Sequence, residues 1–138
     1  MKKTKGRKGD EEIVELFPYG IAFAPDPSRP VFILKDQSQT IVFPVWVTAT
    51  EATILTGDGG NVGNLENPHV LTKEILKQVN LQVLRCQFVE LSGVHQIAEV
   101  ILEDRNGSQK IFRTPADSIM SFCLLNNVKF FAKKDLIE

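Results

Sequence analysis

Short apolar runs bounded by turn residues open the chain, period-two alternation of apolar and polar residues follows in its second half, and a helical spacing or start signal appears at three places. Ile13, Val14, Leu16 and Phe17 form a first short strand closed by Pro18. Gly20 to Ala24 forms a second, broken by Pro25-Asp26-Pro27-Ser28-Arg29-Pro30. Val31 to Lys35 is expected to pair with Thr40 to Val47 across the polar turn Asp36-Gln37-Ser38-Gln39. Pro44 lacks the N–H a central strand must donate, so this last run belongs at an edge or a bulge. Further on, Leu84, Cys86 and Phe88 alternate with Arg85 and Gln87, and Ala98, Val100 and Leu102 alternate with Glu99, Ile101 and Glu103. Asp104-Arg105-Asn106-Gly107 reads as an Asn-Gly hairpin turn, both residues tolerating positive φ, with Gln109 to Arg113 returning. Val128 to Ala132 is the last strand.

The helical stretches carry start signals. Thr48-Ala49-Thr50-Glu51 is a capping box, in which Thr48 accepts from the N–H three residues on and Glu51 reaches back. Leu71, Ile75, Leu76 and Val79 form an apolar stripe with Thr72 as the expected N-cap. In Thr114-Pro115-Ala116-Asp117, Thr114 is the cap, Pro115 loses nothing by lacking an N–H, and Asp117 faces the positive helix end. Ile119, Phe122 and Cys123 make that helix's buried stripe, and Asn126-Asn127 suits a left-handed exit. The order predicts an α+β fold, a largely antiparallel β-sheet packed with about three α-helices in a single domain over residues 12–138.

Composition narrows the function classes. A length of 138 residues with 43% hydrophobic content supports one core without disulfides or a structural metal. No apolar run is long enough to span a membrane, and no apolar stretch follows the basic start, so neither a membrane protein nor a secretory leader is expected. The net charge of −1 hides a split: Lys2, Lys3, Lys5, Arg7 and Lys8 stand unopposed within the first eight residues, in a basic tail, residues 1–11, expected to be disordered. With those five removed, 11 basic residues face 17 acidic ones, a net −6 from Gly9 onward. An acidic body is a weak platform for neutralising phosphates. Cys86 and Cys123, 37 positions apart, read as reduced core residues of a cytoplasmic protein.

Candidate chemistry is sparse. Gly57-Asp58-Gly59-Gly60-Asn61-Val62-Gly63 follows a helix and lacks a Gly-Lys-Ser/Thr ending, so it reads as a connector rather than a phosphate loop. His69 and His95 have no ligand partners at zinc spacing, and His95 lies beside a hairpin turn, exposed. Neither cysteine has a nearby His, and Ser118 and Ser121 carry no nucleophile-elbow motif. Trp46, Phe122 and Phe131 read as core rather than as the wall of a small-molecule pocket. Glu51, Glu74 and Asp117 remain, each in the first turn of an expected helix. Three such carboxylates at one sheet edge would suit metal-assisted phosphodiester hydrolysis, although the helix dipole alone also favours acids there.

Three ordered motifs carry a family resemblance. Pro44-Val45-Trp46-Val47-Thr48-Ala49-Thr50-Glu51-Ala52 resembles the Leu-Pro-Ile-Trp-Ile-Gly-x-x-Glu-Ala stretch of the bifunctional nuclease domain family. His69-Val70-Leu71-Thr72-Lys73-Glu74-Ile75-Leu76 is similar to its Arg-Pro-Leu-Thr-His-Asp-Leu-Leu segment, and Thr114-Pro115-Ala116-Asp117-Ser118-Ile119 to its Arg-Pro-Ser-Asp-Ala-Ile segment. The resemblance implies a compact, often oligomeric α+β domain, with nuclease activity on DNA and RNA credited to some members. It points to Glu51, Glu74 and Asp117 as catalytic, served by Mg²⁺ or Mn²⁺, and to His69, Thr72, Lys73, Arg113 and Thr114 as contacts to a nucleic-acid substrate. The chain departs from the pattern at His69, Val70, Lys73, Glu74, Phe112 and Thr114, and Arg113 sits one position early. A Lys73 standing in for a general-base His would need a strongly depressed pKa. The alternative is a non-catalytic, homo-oligomeric interaction module of the same fold, a dimer being favoured.

Overall fold

A computed structural model of the chain describes residues 12–23, 30–56 and 68–137. The strands are β1 (Ile13–Phe23), β2 (Pro30–Lys35), β3 (Val42–Trp46), β4 (Gln82–Ser92), β5 (His95–Glu103), β6 (Gln109–Pro115) and β7 (Lys129–Lys133). The helices are α1 (Ala49–Thr56), α2 (Val70–Gln78) and α3 (Met120–Leu125), with 3₁₀ turns at Ala116–Ser118 and Lys134–Leu136. All seven strands join one sheet in the order β3-β2-β1-β7-β4-β5-β6, and every neighbouring pair is antiparallel except β4 with β7. The architecture is α+β. No helix among the described residues is long and apolar enough to cross a membrane. The basic tail, the Pro-rich breaker at 24–29 and the Gly-rich stretch at 57–67 lie outside the described residues.

Alternation decides which face is buried. Phe32 and Leu34 of β2, Phe43 and Val45 of β3, Cys86 and Phe88 of β4, and Ala98, Val100 and Leu102 of β5 all enter one core, which Met120 and Cys123 of α3 complete. The sheet curls so that its β3 end approaches its middle. The Phe43 ring lies 5.0 Å from that of Phe88, which in turn stacks at 6.4 Å on Phe130. The Gln96 amide of β5 closes the curl, accepting from the Trp46 N–H at 3.1 Å and donating to the Pro44 carbonyl at 2.8 Å. Pro44 thus sits on an edge strand, as its missing N–H requires.

Several boundaries differ from the sequence reading. The two runs around Pro18 are one strand, because the pairing shifts between Pro18, opposite Leu34, and Gly20, opposite Ile33. Tyr19 is the extra residue of a bulge, where a ladder tolerates proline. At the β5–β6 turn only Gly107 takes positive φ, at +87°; Asn106 does not, because Asp104 Oδ1 accepts from the N–H groups of both Asn106 and Ser108 and shapes the loop itself. The last strand is displaced by one residue from the expected Val128–Ala132. Trp46 lies outside the core on the outer side of β3, still 39% exposed. The left-handed exit after α3 falls on Asn127, at φ 54°.

The β2–β3 turn carries a pH dependence. Asp36 Oδ1 accepts the Ile41 N–H at 2.9 Å, and this bond outweighs the opposing effect of desolvation and, with the Ser38 hydroxyl, holds the carboxyl below its ordinary pKa. A depressed folded-state pKa stabilises the turn at neutral pH, and that contribution is lost as the pH falls through the carboxylate range to the lowered folded value. An NMR titration is expected to place the Asp36 midpoint below that of the urea-unfolded chain, with the Ile41 amide shift following it. A midpoint equal to or above the unfolded value would remove the effect.

Candidate functional site

The first helix begins as half of the expected box. Thr48 Oγ1 accepts the Glu51 N–H at 3.1 Å, but the Glu51 side chain does not return to Thr48, whose own N–H donates to the Asp117 carbonyl at 3.1 Å. The Glu51 carboxylate instead turns into the core, 4% exposed. One oxygen accepts the Ser121 N–H at 2.9 Å and the other the Ser121 hydroxyl at 2.7 Å. Ser121 lies in the first turn of α3, where an unsatisfied N–H and the positive end of the helix favour a carboxylate. Glu51 is therefore the cap of α3, delivered from α1.

The second and third helix starts also differ from their motifs. Helix α2 begins at Val70, with His69 at the N-cap and no side-chain cap bond, so Thr72 lies inside the first turn and is exposed. Its inward side is His69, Lys73 and Leu76. The His69 ring meets Phe122 edge-on at 5.5 Å, Lys73 Nζ donates to the Leu125 carbonyl at 3.3 Å, and Leu76 packs on the core. Of the apolar stripe only Leu76 faces the core, and Leu71, Ile75 and Val79 are exposed. Thr114 and Pro115 belong to β6, so Thr114 caps no helix; its hydroxyl donates to the Pro115 carbonyl at 3.3 Å. Helix α3 starts only at Met120, with Ile119 at its N-cap, and Asp117 sits half-buried in the preceding 3₁₀ turn.

These placements separate the candidate carboxylates. The segments carrying Glu51 and Asp117 adjoin at the start of α3 through the Thr48–Asp117 backbone bond. Lys73, and with it α2, is fastened to the end of α3 at Leu125, five residues or about 7.5 Å beyond its start at Met120, and Glu74 on α2 is exposed. Among the described residues no group of three or more His, Cys, Asp or Glu side chains is placed to hold a metal ion. The expected convergence of Glu51, Glu74 and Asp117 on one ion is not formed. The Arg113 guanidinium is paired with Glu90 and, at 3.3 Å, with Glu99.

Two features escaped the motifs. Cys86 and Cys123 are distant in sequence yet meet in the core, where a hydrogen bond to Cys86 and then burial push the Cys123 thiol far up. A thiol kept neutral in this way is a poor nucleophile. The second feature is an open cleft of about 750 Å³ between α2, the start of β4, the end of β5 and the exit of α3. It is lined by Lys73, Lys77, Arg105 and Lys129, four cations on a body that is otherwise net acidic. Glu103 and Asp104 share its rim, and Asp104 is already committed to the β5–β6 turn. Proximity of these cations comes from the fold alone, so no sequence spacing signals it.

The fold and these contacts define an α+β domain whose most buried candidate carboxylate is a structural cap. No protein-family model matches the chain, and no curated protein matches it.

Proposed function

We propose that this chain is a divergent bifunctional-nuclease-type domain acting as a non-catalytic, self-associating interaction module. The observation that carries the reading is the commitment of Glu51. Both oxygens of its buried carboxylate accept hydrogen bonds from Ser121, the group is closed off from water, and among the described residues it belongs to no group of three or more side chains placed to hold a metal ion. The exposure of Glu74, the pairing of Arg113 with Glu90 and Glu99, and the raised pKa of the Cys123 thiol support the same conclusion. Self-association is supported by the number of large apolar side chains left on the surface, Phe17, Val42, Leu71 and Ile75 among them. A second reading, contact with nucleic acid in the manner of the family, is favoured by one observation: the four cations of the Lys73 cleft.

The purified chain, incubated with labelled single-stranded DNA and RNA in Mg²⁺ or Mn²⁺, is expected to leave both intact, and to show concentration-dependent sedimentation. Cleavage that Glu74→Gln and Asp117→Asn abolish would overturn the non-catalytic reading. Salt-sensitive binding that Lys73→Ala and Lys77→Ala weaken, without cleavage, would establish the second.

A further inference from the structure

The two edges of the sheet differ. At β3 strand addition is blocked, because Pro44 has no N–H and the Gln96 amide binds the Pro44 carbonyl and the Trp46 N–H. At the other edge β6 borders β5, and no strand lies beyond it among the described residues. The Asp104 N–H donates to the Ser108 carbonyl at 3.0 Å, which sets the phase of the β5–β6 ladder. Leu102 with Lys110, Val100 with Phe112 and Ala98 with Thr114 are then the hydrogen-bonded pairs. The N–H and C=O groups of Gln109, Ile111 and Arg113 point away from β5, to the open edge. Pro115 falls at the next such position, where its missing N–H costs no ladder bond. Every residue from Gln109 to Arg113 is exposed, Ile111 at 58% and Phe112 at 56%, and the β5–β6 register runs without a bulge. An edge that is regular, unprotected and partly apolar is the form a sheet takes where another strand is added.

We propose that the β6 edge is a strand-addition site for an extended segment of another protein, with two adjacent apolar residues followed by an acidic one. This goes beyond the self-association proposed above, because the occupant is a different chain. The pattern follows from an antiparallel ladder on Gln109, Ile111 and Arg113. Phe112 and Lys110 lie on the core side of β6, beside Val100 and Leu102, and Ile111 lies on the other side. The incoming strand sets its first apolar residue opposite Phe112, its second opposite Ile111 and its acid opposite Lys110. At Phe112 and Lys110 the new pairs are not hydrogen-bonded, so their side chains approach most closely, with about 4.5 Å between Cα atoms. Charge selects the acid. Arg113 is already paired with Glu90 and Glu99, whereas Lys110 makes no ion pair among the described residues. A second copy fits this edge poorly. With Ile111 opposite Ile111, each Lys110 meets Phe112 and neither finds a carboxylate. Sliding the copies by two residues sets Lys110 against Lys110 in one direction, and Gln109 against Pro115, which cannot donate, in the other.

The probe is the peptide acetyl-Ser-Thr-Val-Val-Glu-Thr-Ser-amide, titrated to millimolar concentration into the isotope-labelled full chain and followed by NMR. Hydrogen exchange at the amides of Gln109, Ile111 and Arg113 is expected to slow about tenfold or more, while Lys110 and Phe112, already bonded to β5, change little. Proline at the fourth peptide position, whose N–H would bond the Ile111 carbonyl, is expected to abolish the effect. Lys110→Glu, a change at an exposed position, is expected to weaken this peptide about fivefold or more, and to bind a peptide with Lys in place of its Glu more tightly than the wild type does. Edge amides that exchange as fast with the peptide as without it, or a proline peptide that protects them equally, would overturn the site. Protection of the same amides that rises with protein concentration and needs no peptide would give the edge to a second copy, which also overturns the proposal. Sedimentation and nucleic-acid cleavage, read on the same preparation, test the preceding proposal separately, so either can fail alone.

Discussion

Replacing Glu51 with alanine is expected to destabilise the domain by about 3 kcal/mol. Hydrogen bonds to an ionised acceptor contribute about 1.5–3 kcal/mol each, and the two here share one donor residue, so they do not add in full. The substitution leaves the Ser121 N–H and hydroxyl without their acceptor in a site only 1% exposed, and removes the negative charge at the start of α3. For a chain of this length the loss corresponds to a Tm lower by roughly 10 °C. Glu51→Gln retains one carbonyl oxygen for the Ser121 N–H, and the Ser121 hydroxyl can rotate to accept from the new amide, so about 1 kcal/mol is expected. Thermal unfolding followed by circular dichroism separates a structural from a catalytic role. An alanine variant as stable as the wild type, yet lacking a nuclease activity the wild type possessed, would return Glu51 to catalysis.

Phe88→Ala is expected to cost more, about 4 kcal/mol by urea unfolding. Phe88 is fully buried, and its ring lies between Phe43 of the β3 edge and Phe130 of the central β7. Deleting it therefore removes the apolar contact that, beside the Gln96 clasp, holds the curl of the sheet closed, in addition to the transfer free energy of the ring. Leu91→Ala in the same strand, at a position 62% exposed, is the control and is expected to stay within about 0.5 kcal/mol of the wild type. Equal losses at the two positions would mean that the curl is not held there.

The sheet was legible wherever period-two alternation had one wet face: Ala98, Val100 and Leu102 are buried as the pattern requires, and Pro44 marks an edge. Local signals were overruled where they had a distant competitor. Thr114-Pro115 has the form of a helix start, yet pairing of Thr114 with Ala98 and of Pro115 with Ile97 keeps both in β6. Leu71, Ile75 and Val79 have the spacing of a buried stripe, yet His69, Lys73 and Leu76 make the contacts to α3 and the core. Glu51 has the spacing of a capping box, but its carboxylate is buried against the first turn of α3 and accepts from the Ser121 N–H, while the Thr48 N–H donates to the Asp117 carbonyl instead.

The amino-acid order by itself determined the α+β class, the β2–β3 and β5–β6 hairpins and the inward faces of β4 and β5, because these depend on interactions between residues near one another or on a strict two-residue period. Only the tertiary structure decided the roles of the polar residues: Glu51 as the cap of a helix 70 positions away, Gln96 as the clasp on β3, Lys73 at the end of α3, and the meeting of Cys86 with Cys123. A hydrogen bond reaches about 3 Å and takes any partner that packing delivers. Spacing along the chain cannot register a partner that folding brings from the other side of the sheet.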